Sequence, residues 1–296
     1  MTLFEADRAT LDANYNLRAA VPEFQDYFDR YDATSEAFRA RWPGRMDLAY
    51  GDTPRQAIDL FLPDATDPPL LAFVHGGYWQ SQDRKRFAFV AGPLVEAGAA
   101  VAMIGYDLAP SVDMDAIVDQ IRRALAWLHR HGVELGFDSG RIHVAGHSAG
   151  GHLAAMALAT DWAAAGLPAD LVKGLCPISG VFELEPIRRC YLNDVVGLDP
   201  EQVHRNGPLR LPSPNRCPVT VAVGERETAA FHEQSRAYDA HLQQAGVASR
   251  LLVQPGADHF AIVMAMADSD SPVVRAILAQ MGLAASELDG PDRMIK

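Results

Sequence analysis

His75-Gly76-Gly77-Tyr78-Trp79 closes an apolar run, and about seventy residues later the chain reads Gly146-His147-Ser148-Ala149-Gly150. The serine follows a short apolar segment and precedes a helical one, which is the strand-to-helix setting a nucleophile elbow requires. Such a bend is crowded, so Gly146 and Gly150 keep side chains out where the chain nearly touches itself. The glycines after His75 leave backbone N–H groups unobstructed, which suits an oxyanion hole for a tetrahedral intermediate. Together the two motifs point to acyl transfer.

A serine hydroxyl is a weak nucleophile at neutral pH and needs a histidine base held by a carboxylate. His259, in Pro255-Gly256-Ala257-Asp258-His259-Phe260, stands after the last strand signal and before the last helix, where the base of a Ser–acid–His order belongs. The acid should follow the apolar run ending at Val223, which offers Glu225 and Glu227. Glu227 is favoured because it directly precedes the helix start at Thr228, and Glu225 stays open as the rival. Asp258 is a weaker candidate, since adjacent residues seldom face one another. Tyr78 and Trp79 should border the substrate pocket and favour an aromatic substrate; the alternative for Trp79 is packing of the loop onto the sheet. His75 is expected to bond loop backbone so that Gly76 and Gly77 are presented. His147 and His152 have no partner at metal-ligand spacing, so no metal site is expected.

These groups need a frame. Residues 46–50 and 57–62 alternate apolar and polar positions around Gly-Asp-Thr-Pro, the mark of a half-buried antiparallel hairpin. Nearly continuous apolar runs follow at 70–74, 99–104, 142–145, 171–178, 219–223 and 251–253, as expected for strands covered on both faces. Helical periodicity lies between them: Ile117, Ile121, Ala124 and Leu128 share one stripe, and Phe231, Tyr238 and Leu242 another. The alternation predicts an α/β chain with a mostly parallel sheet of about eight strands and helices on both faces. Both motifs fall at carboxyl ends of strands, where such sheets bind ligands. We expect a single domain over residues 1–296, with a helical arm at 1–42 and a lid or cap insertion at 183–215.

Composition narrows the partners. The 296 residues carry 38 acidic and 26 basic side chains, a formal net charge of −12, and the sequence pI is near 5.2. Nucleic acid and anionic membrane are therefore poor partners, because phosphate binding needs clustered Lys and Arg. Three scattered cysteines without a C-x-x-C point to neither a disulfide framework nor a zinc site. No apolar leader occurs in residues 1–30, and no run approaches a membrane span of roughly twenty apolar residues. A soluble, cytoplasmic protein is expected, with a small aromatic substrate as its partner and a homodimer as an admissible assembly.

Further stretches carry a family likeness: Tyr15-Asn16-Leu17-Arg18, Tyr106-Asp107-Leu108-Ala109-Pro110, Tyr191-Leu192-Asn193, and the segment from Glu227 to Ser235 with Phe231 and Gln234. With the two glycine motifs, they make the chain resemble the α/β-hydrolase superfamily. Within it the chain is similar to the kynurenine formamidase (arylformamidase) group, related to hormone-sensitive-lipase-like esterases. Typical esterases of that neighbourhood carry a third glycine where this chain has Tyr78, and better-known group members carry Asp where it has Glu227. The resemblance implies the α/β-hydrolase fold and a cofactor-free hydrolase that removes the formyl group from an N-formylated arylamine, N-formyl-L-kynurenine being the family's substrate. It implies Ser148 as nucleophile, His259 as base and Glu227 as acid. Gly76, Gly77 and Ala149 would donate to the oxyanion, and Tyr78, Trp79, Tyr191 and Asn193 would border the leaving group. A carboxylesterase acting on short-chain or aryl esters is the alternative, and a non-catalytic small-molecule receptor the remote one.

Overall fold

Eight strands form one sheet: β1 (Arg45–Ala49), β2 (Ala57–Phe61), β3 (Pro69–Val74), β4 (Ala100–Ile104), β5 (Asp138–His147), β6 (Val172–Ile178), β7 (Val219–Gly224) and β8 (Ser249–Gln254). Their spatial order is β1-β2-β4-β3-β5-β6-β7-β8. The β1–β2 and β2–β4 pairings are antiparallel, and the remaining neighbours run parallel. This computed structural model describes residues 3–283. The ends of the expected domain, residues 1–2 and 284–296, lie outside the described residues.

Local sequence explains most of the element boundaries. The helix Met114–Leu135 opens where Asp113 accepts a hydrogen bond from the Ala116 amide and stops at Gly136, whose φ of +95° suits a residue without a Cβ. Its expected stripe, Ile117, Ile121, Ala124 and Leu128, is buried. Apart from His152, the helix Ala149–Leu158 is built of Ala, Gly, Leu and Met and is correspondingly buried along its whole length.

Two strand expectations need correction. β2 is buried throughout rather than on one face, because its polar member, Asp59, is compensated inside: it accepts from the Asp47 amide at 2.9 Å and pairs with Arg84 Nε at 3.1 Å. β8 is not covered on both faces; it is the last strand of the sheet, with Arg250 and Val253 exposed and only Gln254 buried. An apolar run reports the number of apolar neighbours a strand can take, not its place in the strand order.

The register decides what meets at the carboxyl ends. Val74 of β3 lies opposite Gly146 of β5, so the loop carrying Gly76 and Gly77 emerges beside the turn carrying Ser148. Gly224 of β7 lies opposite Gln254 of β8, so the loop carrying Glu227 emerges beside the loop carrying His259. Over this end lie the N-terminal helices Arg8–Tyr15 and Leu17–Ala20, the first turns of Phe24–Arg41 and, within the 183–215 segment, the short helices Glu185–Arg189, Asn193–Val196 and Pro200–Asn206. The last of these carries a capping box, Asp199 with Gln202. The arm is tied down across the whole sequence: Tyr31 Oη donates to the Phe260 carbonyl at 2.6 Å and Ser35 Oγ to the Arg86 carbonyl at 2.7 Å.

Candidate active site

Ser148 sits between β5 and the helix Ala149–Leu158 with φ 58° and ψ −119°, a conformation that L-residues adopt only under steric constraint. The surroundings impose it. A Cβ on Gly150 would fall 2.0 Å from the Val74 carbonyl oxygen, and one on Gly146 would fall 2.2 Å from the Gly150 carbonyl oxygen. Ala149, as the first residue of its helix, has an amide with no intrahelical acceptor. The glycine loop comes equally close: a Cβ on Gly76 would lie 2.9 Å from the Ser148 Cβ. The glycine loop and the elbow therefore lie side by side, with Gly76, Gly77 and Ser148 bordering the same cavity.

His259 is buried beside Glu227, with Nδ1 donating to Glu227 Oε2 at 2.7 Å. That bond places the ring proton on Nδ1 and leaves Nε2 with its lone pair, the form a general base requires. Glu227 is fully used, since Oε1 accepts from the Gly224 amide at 2.9 Å and from Ser179 Oγ. Glu225 lies elsewhere: its exposed carboxylate accepts from the Gly256 amide at 2.7 Å. Asp258 faces away from the imidazole of His259. Its Oδ1 accepts the amides of Phe260 and Ala261, and its Oδ2 the hydroxyl of Tyr27 at 3.1 Å.

Ser148, His259, Gly76, Gly77, Tyr78 and Tyr191 border one cavity of about 420 Å³. Trp79 and Asn193 do not. Trp79 is wholly buried, and its Nε1 donates to His152 Nδ1 at 3.1 Å. With φ of +57° at Trp79 directly after +49° at Tyr78, the chain turns the indole inward to the elbow helix and leaves only the tyrosine at the cavity. Asn193 closes its own loop, exchanging two side-chain bonds with the backbone of Leu198. Tyr78 occupies in left-handed conformation the place where the esterases it resembles carry a third glycine. Its hydroxyl donates to the Tyr15 carbonyl at 2.9 Å, an anchor that offsets a backbone cost of about 1–2 kcal/mol.

Two groups of functional residues escaped the sequence reading. Ser179, after β6, holds Glu227; its signal was a small polar residue at a strand end, between the two strands whose loops carry Ser148 and Glu227. The other group is the N-terminal arm, which contributes Asn16, Leu17, Arg18, Phe28 and Tyr31 to the cavity wall. The family likeness at Tyr15-Asn16-Leu17-Arg18 marked part of that segment, but its irregular spacing did not say which side chains face inward.

Three buried histidines brace the site. His75 Nδ1 donates to the Gly76 carbonyl at 2.8 Å, and its ring stacks on Tyr106 at 4.4 Å. His152 accepts from Trp79 and donates through Nε2 to the Asn206 carbonyl at 2.7 Å, linking the glycine loop, the elbow helix and the 183–215 segment. His147 Nε2 donates to the His259 carbonyl at 2.9 Å. Burial pushes His75 and His152 down to about 4, and burial followed by the neighbouring His259 holds His147 well below the usual histidine range. All three are neutral at pH 7. The unfolded chain takes up protons near pH 6.5 whereas the folded His75 and His152 resist until about 4. Their stabilisation is therefore fully present above about pH 6.5 and is lost as pH falls toward 4. Each adds a slope of about 1.4 kcal/mol per pH unit across that window. Thermal unfolding should show Tm falling as pH drops from about 6.5 to 5, with a shallower slope for His152→Leu. A Tm that is flat over this range would contradict the assignment.

The sheet order, the elbow and the Ser148–His259–Glu227 cluster place the chain among the α/β-hydrolases. A family model described as BD-FAE matches residues 58–164. A kynurenine formamidase of Danio rerio is 35% identical over 244 residues, covering 80% of this chain and 82% of the relative. One of Drosophila melanogaster is 31% identical, covering 77% and 78%. Among solved structures, a protein from Silicibacter sp. TM1040, provisionally assigned as a thioesterase, superposes with a TM-score of 0.81 at 31% identity, covering 89% of this chain and 97% of that one. The chain belongs to the kynurenine formamidase family of hydrolases. Among the described residues, no helix is long and apolar enough to cross a membrane.

Proposed function

We propose that this protein hydrolyses the formamide bond of N-formylated arylamines, with N-formyl-L-kynurenine as the leading substrate. The observation that carries the reading is the oriented His259–Glu227 pair, 2.7 Å apart, whose histidine borders with Ser148 a cavity walled by Tyr78, Tyr191, Phe28 and Phe87. Ser148 Oγ attacks the formyl carbonyl while His259 Nε2 takes its proton. The oxyanion is met by the amides of Gly76, Gly77 and Ala149. His259 then returns the proton to the departing arylamine nitrogen, and water, activated by the same imidazole, releases formate from the formyl-serine. A formyl group carries only hydrogen on its acyl side. The tight approach of Gly76 to Ser148 tolerates it, and selectivity falls to the aromatic walls around the leaving group.

The names of the formamidase relatives support this substrate. The reading also places the protein in a reducing cytoplasm, supported by Cys176, Cys190 and Cys217, all buried and unpaired. Purified enzyme should turn over N-formyl-L-kynurenine with kcat/KM in the ~10⁴–10⁸ M⁻¹s⁻¹ range of working enzymes, well above its value for p-nitrophenyl acetate. The reverse ratio would sink the formamidase reading and favour a carboxylesterase using the same serine.

A further inference from the structure

The cavity wall is uneven in charge. Among its described lining residues Arg18 is the lone Arg or Lys, and no Asp or Glu borders it. The chain as a whole carries a formal −12, so a permanent positive charge at this mouth runs against the average field of the molecule. Arg18 lies in the short helix Leu17–Ala20 of the arm, with its guanidinium carbon 5.1 Å from the centroid of the Phe24 ring. It is exposed, makes no ion pair among the described residues, and is near enough to Tyr191 to act electrostatically on that hydroxyl. The Phe24 ring holds the guanidinium itself, and its N–H groups make no side-chain hydrogen bond among the described residues, so the planar fork is open to a carboxylate, the partner whose geometry it matches with two parallel hydrogen bonds.

We infer that Arg18 is the substrate's carboxylate anchor: the protein recognises an aromatic formamide bearing a carboxylate remote from the scissile bond, and the arm supplies the group that reads it. This rests on the formamidase reading and adds a direction to it. With no acidic side chain in the wall, the site offers nothing ionic to an ammonium group. It therefore discriminates by the carboxylate and not by the amine of an amino-acid substrate.

Three formamides separate these features: N-formyl-L-kynurenine with both charges, N-formylkynuramine with the ammonium alone, and 2′-formamidoacetophenone with neither. The wild-type enzyme should prefer the first by about tenfold or more in kcat/KM, mainly through KM, the scale of one lost charge-assisted hydrogen bond. Arg18→Gln should erase that preference, its loss in kcat/KM falling about tenfold more heavily on N-formyl-L-kynurenine than on the two substrates without a carboxylate, and Arg18→Lys should retain part of it. A merely structural role for Arg18 would lower all three substrates together, and that result, like an unchanged preference in Arg18→Gln, overturns the inference while the formamidase reading stands. If wild type cleaves no formamide, the reading itself falls. The anchor is then judged separately on 4-acetoxybenzoate against phenyl acetate, where loss of a carboxylate preference in Arg18→Gln supports it and its persistence or absence rejects it.

Discussion

Ser148→Ala is expected to lower kcat/KM for the formamide substrate by about 10⁴–10⁶-fold, a loss of about 5–8 kcal/mol in transition-state stabilisation. The magnitude follows from the site's construction as a unit. Without the hydroxyl, the imidazole of His259 and its bond to Glu227 have no proton to accept, so the acyl-enzyme route closes. What remains is binding and the oxyanion amides acting on direct attack by water. The fold should not suffer, because Ala accepts the same positive φ as Ser, and the neighbours that crowd this turn are glycines and backbone atoms. Circular dichroism and thermal unfolding of the variant should therefore match the parent. Near-normal turnover by a folded Ser148→Ala protein would remove the nucleophile assignment and, with it, the proposed chemistry.

The second large effect separates two glutamates only two positions apart. Glu227→Gln should cost about 10³–10⁴-fold in kcat, comparable to the loss when the carboxylate of a serine–histidine pair becomes an amide. Glu227 accepts from three donors: His259 Nδ1, the Gly224 amide and Ser179 Oγ. A glutamine has one acceptor oxygen, and the Gly224 N–H cannot turn away. The amide carbonyl is drawn to Gly224, the NH₂ group faces His259 Nδ1, and the imidazole must carry its proton on Nε2, where the base lone pair should be. Glu225→Gln meets no such conflict. Its partner is a single backbone amide at Gly256, which a glutamine carbonyl satisfies equally well, so activity should stay within about threefold. Steady-state kinetics of the two variants, each checked for an unchanged Tm, tests the distinction; comparable losses in both, or a loss confined to Glu225→Gln, would refute it.

The choice between those glutamates shows where legibility in the sequence ends. Both follow β7, both are acidic, and both stand near a helix start. A turn held by the Glu227 amide to the Gly224 carbonyl at 3.3 Å aims one carboxylate inward and leaves the other in solvent. Trp79 shows the same limit. Its neighbourhood to the oxyanion glycines was plain, but whether the indole faced substrate or core depended on two consecutive positive φ values and on a buried acceptor, His152, far along the chain.

The strands, the elbow and the glycine loop could be read directly because their causes are local. Apolar runs of strand length, and glycines where a Cβ would strike backbone within 2–3 Å, leave a trace in neighbouring residues. The identity of Ser148 and the late position of His259 belong to the same kind of information, since chain order and loop placement restrict them. The tertiary structure alone decided which acid reaches His259, that Ser179 supports it, that Asn193 serves its own loop, and that Asn16, Leu17, Arg18, Phe28 and Tyr31 of the arm wall the cavity. Apart from the local Asn193 loop, those outcomes depend on contacts between segments tens to hundreds of residues apart, such as Tyr31 with Phe260 or Tyr78 with Tyr15. The energies of such contacts are comparable to those of many alternatives, and only the packed chain selects among them.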